Sequence, residues 1–405
     1  MQNETSGSDT RIAFVRALCV FGLAVLVYAV MAGDLLTKQS VAPHFVYLSD
    51  AFLNGETYLT GGLPSTYDLI RYEDRWYVAQ QPLPALLMLP AVAVRGAAAT
   101  PDIFITVLLG AASVTLCDFT LGVFVPDLPA WRRGLLTLFY ALGTAHGWLS
   151  IMGTVWFMGQ VAGTLFLWPF LLGMKWHWSF VTGLALGAVA LARPSIVPGA
   201  LLLCAGWWLL ENRGKALAKA AVLLGVPLAL CTGFLGWYNL VRFGSATNFG
   251  YDYIQEAEVL AARRLEHGNF SPAFFPENFY TATVRPPEVK DGSFEPDPWG
   301  MGLAFTSPVL VYVFFAYPWD KKRLLLAGSV IVILLPSLLY HNTGSIQFGY
   351  RFVLDALPVL MILTACGAKR GLIWWLVIGT AYSIMLHFWG IHWLYPLILG
   401  KEWIL

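Results

Sequence analysis

The chain alternates long apolar stretches with a few polar ones. Apolar segments run over about 12–33, 82–98, 102–125, 133–150, 154–174, 178–192, 194–210, 217–241, 302–317, 323–340, 352–367 and 371–389. Most are near the roughly 20 residues that carry a helix across the hydrocarbon of a bilayer. Two long polar regions, 34–81 and 243–300, and a short one, 341–351, interrupt them. The pattern predicts an all-α polytopic membrane protein. Val30-Met31-Ala32 could pass as a signal-peptidase site. The run before it is long enough to span, so it reads as a retained first helix.

Composition excludes a soluble fold. Hydrophobic residues make up 58% of the chain and charged residues 12%, against about 25% charged in soluble proteins. So few charges cannot cover a water-soluble surface. The net charge of +1 gives no ground for nucleic-acid binding. The five cysteines, Cys19, Cys117, Cys204, Cys231 and Cys366, all lie in apolar stretches without a CxxC pair. Neither a disulfide framework nor a zinc site is signalled. No P-loop, GxGxxG, HExxH, GxSxG or EF-hand pattern occurs, so no metal and no cofactor is expected.

Charge orients the segments. The two long polar regions hold 15 of the 24 acidic residues and 7 of the 25 basic ones. Basic clusters sit in short connections instead: Arg213-Lys215-Lys219, Lys321-Lys322-Arg323 and Lys369-Arg370. Short Lys/Arg-rich loops mark the cytoplasmic side. The polar regions therefore face outward, and the N-terminus, with Arg11 and Arg16, stays inside. An even number of crossings must separate two outward loops, yet seven segments lie between them. Merging 178–210 into one helix, broken where Pro194 follows Arg193, gives about 11 transmembrane helices. That parity places Trp131-Arg132-Arg133 outside.

Candidate chemistry lies in the outward regions. From His44 to Asn54 the polar residues His44, Tyr47, Asp50 and Asn54 fall on one helical face, with Phe45, Val46, Leu48, Phe52 and Leu53 on the rest. This predicts an interfacial helix, apolar side in lipid and polar stripe toward a cavity. It serves either as an anchor or as part of an active site. Asp68, Glu73, Asp74 and Arg75 read as a solvated hairpin. Gln80 and Gln81 precede a Pro-rich helix start and could bind sugar hydroxyls. Arg242 either holds a phosphate or snorkels to the interface. The third region packs His341, Gln347, Tyr350, Arg351 and Asp355 together; Arg351 either pairs with Asp355 four residues on or reaches a phosphate with its guanidinium. Arg193, His146 and Gln160 are polar groups in apolar sequence, and a buried arginine needs a partner.

One N-terminal span, an outer loop with an interfacial helix, the "PLPALL" entry to the second span and the segment "GLALGAVALARPS" together resemble bacterial GT-C glycosyltransferases. These are relatives of protein O-mannosyltransferases and of the lipid A aminoarabinose transferase. The resemblance covers roughly residues 12–241, and "FGYRFVLDALP" is similar to a segment recurring in uncharacterised members. It implies a GT-C-like bundle with about seven core spans and a sugar donor linked to a polyprenyl phosphate. It also implies an acidic base in the first outer loop and basic residues at the lipid phosphate. The family's acidic position falls near Ser40 here, with His44 one turn later. The base is therefore expected at Asp50, with His44 and Asp34 as alternatives. Substrate contacts are expected from Arg351, Arg242, Arg193, Tyr350, Gln347, His341, Asp68 and Gln81.

The chain divides by this reading into a transmembrane core with its first outer loop (1–241), a second extracytoplasmic loop (242–301) and C-terminal transmembrane helices (302–405). The expected activity moves sugar from a polyprenyl-phosphate donor to a glycan, lipid or protein acceptor, outside a bacterial plasma membrane. The partners are membrane lipids and no nucleic acid. The rival is a lipid or sugar transporter or flippase without transferase activity. It accounts for buried Arg193 and His146 but less well for two acidic, aromatic-rich outer loops.

Overall fold

The computed structural model describes residues 2–211 and 215–398; Arg213 of the first basic cluster lies outside them. In chain order the elements begin with α1 (Gln2–Ala32), α2 (His44–Leu53), the hairpin β1 (Leu69–Tyr72) and β2 (Arg75–Val78), and α3 (Leu83–Arg95). The bundle continues with α4 (Asp102–Phe124), α5 (Ala130–Leu142), α6 (Ala145–Leu149), α7 (Val155–Trp176), α8 (Ser179–Ala192), α9 (Val197–Leu210) and α10 (Lys215–Phe243). The second polar region folds into α11 (Glu258–His267), α12 (Phe275–Thr283), the hairpin β3 (Glu288–Lys290) and β4 (Ser293–Glu295), and α13 (Leu303–Thr306). Three apolar helices close the chain: α14 (Lys321–Leu338), α15 (Leu357–Ala368) and α16 (Ile373–Ile398).

Among the described residues five helices are long and apolar enough to cross a membrane, namely α1, α4, α7, α10 and α16. Helix α7 is the core of the bundle, mostly buried and packed by α4 on one side and α8 on another. Helices α1 and α10 are largely exposed, as lipid-facing helices would be. Helices α3, α8, α9 and α15 are apolar but only 12–14 residues long, about 18–21 Å at 1.5 Å per residue. The expected count of about 11 crossings leans on such short elements.

Side-chain pairs define two ends of the bundle. At one end Arg16 of α1 bonds Asp118 of α4 through two nitrogens, at 2.7 and 2.6 Å, and Arg133 of α5 approaches the same carboxylate at 3.5 Å. Arg132 donates to the carbonyls of Ala368 and Lys369, and the Lys369 ammonium meets Asp127. Lys322 and His177 both engage Glu211. The basic connections thus gather at one end, and the polar regions at the other. Trp131-Arg132-Arg133 belongs with the basic end, so its outward placement is corrected.

The same pairs correct two span assignments. Helix α8 starts just after His177, and α9 ends at Glu211, whose carboxylate lies 2.6 Å from that imidazole. Residues 178–210 therefore double back at Arg193 rather than form one broken crossing. Helix α8 packs between α7 and α10 while α9 packs on α14, so each branch has its own neighbour. Gly183 and Gly187 let α8 approach α10, whose Leu224 backbone and Cys231 occupy the space a Cβ would need. Helix α3 also fails to cross. Past its C-terminal end, Gln39 donates to the carbonyls of Ala97 and Thr100, and Asp102 accepts from Ser40, so both its ends stay at the polar end.

Candidate active site

The first polar region folds around the β1–β2 hairpin. Glu73 and Asp74, at φ 47° and 57°, form its two-residue turn; both central residues at positive φ suit the right-handed twist of a hairpin. The register pairs Leu69 with Val78. Asp68, just before β1, and Gln80-Gln81, just after β2, therefore meet at the open end of the hairpin. Leu69 and Val78 bury against Phe45, Val46 and Leu48 of α2, Met88 of α3, and Val155 and Met158 of α7. The apolar face of α2 is thus covered by protein rather than by lipid. Arg242 fastens the other side, donating to the Val78 carbonyl at 2.9 Å and to Asn239 Oδ1 at 2.7 Å.

This open end faces a cavity of about 440 Å³. Its walls come from all three stretches of the chain. The first polar region supplies Asp68, Gln80 and Gln81; the start of α7 supplies Trp156 and Phe157; the α8–α9 break supplies Arg193 to Ser195. The second polar region adds Tyr251, Glu256 and Trp299, and the last adds Tyr340, Asn342, Arg351 and Phe352. A second cavity of about 580 Å³ shares Tyr67 and Trp156 with the first and reaches Val41 and Ser65.

Asp68 is the carboxylate that the hairpin presents. The indole Nε1 of Trp156 donates to its Oδ2 at 2.6 Å; among the described residues no hydrogen bond engages Oδ1. Burial pushes this carboxyl up to about 7, opposed by the Trp156 bond and the Arg351 charge and reinforced by the charge of Glu256. It is poised to exchange a proton near neutral pH. Glu256 differs. Burial would raise it, but hydrogen bonds from His341 (3.1 Å) and Arg264 (2.7 Å) hold it below the ordinary range, so it stays ionised.

Two guanidiniums also line the cavity. Arg193 pairs with Asp355 through two bonds of 3.0 and 2.6 Å. Arg351 instead donates to Gln160 Oε1 at 2.8 Å and to the Gly344 carbonyl at 2.9 Å. The (i, i+4) pairing of Arg351 with Asp355 does not form, because residues 351–355 make a 3-10 turn, in which that spacing does not align. Both guanidiniums stack near the Phe352 ring, at 4.6 Å for Arg351 and 5.7 Å for Arg193. Asp355 thus pairs with Arg193 only, and Arg351 keeps neutral acceptors.

Of the candidates drawn from sequence, Asp68, Gln81, Arg193 and Arg351 converge on this cavity. Asp50 is partly exposed on α2 and Asp34 is exposed beyond α1; neither lines the cavity. His44 is 1% exposed and donates from Nε2 to the Tyr67 carbonyl at 2.9 Å. Burial pulls its imidazole down to about 4, offset in part by that bond, so it is neutral at pH 7. Gln347 spends its amide on the Trp299 and Thr343 carbonyls and the Arg351 N–H. Buried His341 and Tyr350 lie behind the wall, the former holding Glu256. Arg242 straps the hairpin and touches no cavity space. Trp156 and Glu256 were missed by the sequence reading; a tryptophan in the first turn of a span and a glutamate in an acidic loop are ordinary where they stand. Among the described residues no group of three or more His, Cys, Asp or Glu side chains is arranged to hold a metal.

No family model matches the chain, and no curated protein matches its sequence. Solved structures do match its fold. ArnT from Cupriavidus metallidurans in the apo state superposes with a TM-score of 0.56 at 14% identity, covering 94% of this chain and 77% of ArnT. ArnT bound to undecaprenyl phosphate gives 0.53 at 16% identity, covering 86% and 60%. The Archaeoglobus fulgidus oligosaccharyltransferase in the apo form gives 0.51 at 13% identity, covering 95% and 56%. The fold is GT-C. The chain spans only 60% of the lipid-bound ArnT and 56% of the oligosaccharyltransferase. Within this GT-C fold, the cavity described above gathers the carboxylate and the arginines.

Proposed function

We propose that the chain is a glycosyltransferase that moves a sugar from a polyprenyl-phosphate-linked donor to an acceptor hydroxyl on a glycan, lipid or protein. One observation carries this reading: a single cavity is lined by a carboxylate poised near neutrality and by two guanidiniums, of which only Arg193 has a paired carboxylate. The GT-C fold supports the reaction class, and ArnT, a neighbour of that fold, binds undecaprenyl phosphate. The polar end faces outward from a bacterial plasma membrane, in line with its acidic loops and the basic connections opposite.

In this scheme Asp68 takes the proton of the acceptor hydroxyl as its oxygen bonds to the anomeric carbon. The bond from that carbon to the phosphate oxygen breaks, and the phosphate leaves with the electron pair. Arg351 and Arg193 stabilise the anion that results. Gln80 and Gln81, beside Asp68, are placed to hydrogen-bond sugar hydroxyls. The role of base passes from Asp50 to Asp68 because Asp50 has no access to the cavity. Phosphate binding stays with Arg351 and Arg193, while Arg242 positions the hairpin.

The test uses the full chain reconstituted with undecaprenyl-phosphate hexose or pentose labelled in the sugar, and an envelope extract as acceptor. Asp68→Asn should slow release of undecaprenyl phosphate by about 10²–10⁴-fold, with undecaprenyl phosphate binding retained. Asp50→Asn should leave the rate within a few-fold of wild type. Near wild-type transfer by Asp68→Asn would remove it as the base. Lipid movement without release of undecaprenyl phosphate by the wild type would favour a flippase instead.

A further inference from the structure

We infer that His44 is a positioning residue for Asp68, acting through the Tyr67–Asp68 peptide. The inference bears on the proposed base but concerns its conformation rather than its chemistry. Asp68 sits at φ +58°, a left-handed conformation that a residue with a Cβ adopts only when its surroundings enforce it. The backbone on both sides of Asp68 and its carboxylate are hydrogen-bonded. The peptide before Asp68 is held at both edges: His44 Nε2–H donates to the Tyr67 carbonyl at 2.9 Å, and Asp68 N–H donates to the Gln255 carbonyl at 3.0 Å. The peptide after it is held at one edge, by Leu69 N–H to the Thr66 carbonyl at 3.2 Å, and one peptide further on Gln255 N–H donates to the Leu69 carbonyl at 2.9 Å. Trp156 then fixes the side chain through Oδ2.

Four of these five bonds come from backbone or from a cavity wall. His44 alone is a buried side chain, in the first turn of α2, that lines neither cavity. Its acceptor is a carbonyl, so the imidazole must be the donor, whichever tautomer the free ring prefers. Because His44 stays neutral, its hold does not vary across the working range of pH. Without it the Tyr67–Asp68 peptide can turn, and the carboxylate can swing from its enclosed position toward the water of the cavity. Around Asp68 the charged and titratable neighbours are Arg351, Glu256, Tyr67 and Tyr340. Among the described residues the donor placed on the Tyr67 carbonyl is His44.

The test is an infrared pH titration of the protonated carboxyl band of the purified full chain. Absence of the band in Asp68→Asn assigns it. The wild-type midpoint is expected at about 7. His44→Ala should lower it by at least one pH unit as the carboxylate regains water, and turnover of labelled undecaprenyl-phosphate hexose should fall tenfold or more in kcat with KM within threefold. His44→Gln, whose amide still donates, should restore both. If His44→Ala fails to fold, His44→Phe, which fills the space without a donor, carries the same expectation. An unmoved midpoint in a folded His44→Ala or His44→Phe, or no recovery in His44→Gln, would overturn the inference. The infrared readout needs no turnover, so transfer by Asp68→Asn would sink the base and leave this clamp standing.

Discussion

Replacing Trp156 by Phe should move the pH dependence of transfer toward alkali. The indole N–H bonds the ionised form of Asp68 at 2.6 Å, and Phe keeps an aromatic wall without that donor. A hydrogen bond to a charged group contributes about 1.5–3 kcal/mol net. At 1.36 kcal/mol per pH unit, its loss raises the midpoint by roughly 1–2 pH units, from about 7. Cavity water that replaces part of the bond puts the result at the lower end. The sign is fixed by the chemistry: losing a donor disfavours the carboxylate, and the base works only when ionised. Wild type at pH 7 has about half of Asp68 ionised, and the variant about 1–10%. Turnover at pH 7 should therefore fall by roughly 5–50-fold and recover above about pH 9. The assay is release of undecaprenyl phosphate from labelled undecaprenyl-phosphate hexose between pH 5 and 10, beside the infrared midpoint of the Asp68 carboxyl. A midpoint that stays put, or a loss equal at every pH, would refute the link between Trp156 and the base.

Arg351→Ala should weaken undecaprenyl phosphate binding by about 10–150-fold, the equivalent of one charge-assisted hydrogen bond, and Arg351→Lys by less, since lysine keeps the charge and loses the fork; equilibrium binding to nanodiscs reads both. Equal losses for the two variants would deny a role to guanidinium geometry. Single cysteines at Ser65 and Ser293 should react with an impermeant thiol reagent in intact cells; protection of both would place the polar end inside.

The membrane character and the two polar end-loops were legible because they rest on residue counts and segment length, which survive any packing. The path of the chain between them was not. Residues 82–98 have the hydropathy of a span, yet α3 ends where Gln39 holds Ala97 and Thr100. Residues 178–210 look like one interrupted helix, yet His177 meets Glu211. Hydropathy measures how apolar a segment is and carries no information on where its far end returns. Only long-range pairs, such as Arg16 with Asp118 and Arg132 with Lys369, fix direction. Arg132 and Arg133 then join the other basic connections at one end, where parity had set them apart.

The candidate site divides along the same line. Periodicity separated the two faces of α2 only in part, since His44 of the stripe is buried and Leu53 of the apolar side is exposed, and a face has no label for what covers it. The apolar side lies against the hairpin and α7, and of the polar stripe it is His44 that turns inward. A helix can advertise its polar residues by spacing; a loop cannot. Asp68 sits outside any regular element, so its sequence context, among Glu73, Asp74 and Arg75, is that of a solvated turn. What distinguishes it is the two-residue turn that folds β1 onto β2, which brings Asp68 back beside Gln80 and Gln81 and under Trp156. The turn was readable as a turn, and a one-residue change of register would aim Asp68 away. Arg193 was legible for the opposite reason. A guanidinium in apolar sequence is costly wherever it lands, so its presence marks a site before its partner is known. That partner, Asp355, serves Arg193 across 162 positions rather than Arg351 four residues away. The exchange leaves Arg351 with neutral acceptors only, and it is this charge that the proposed phosphate contact would use.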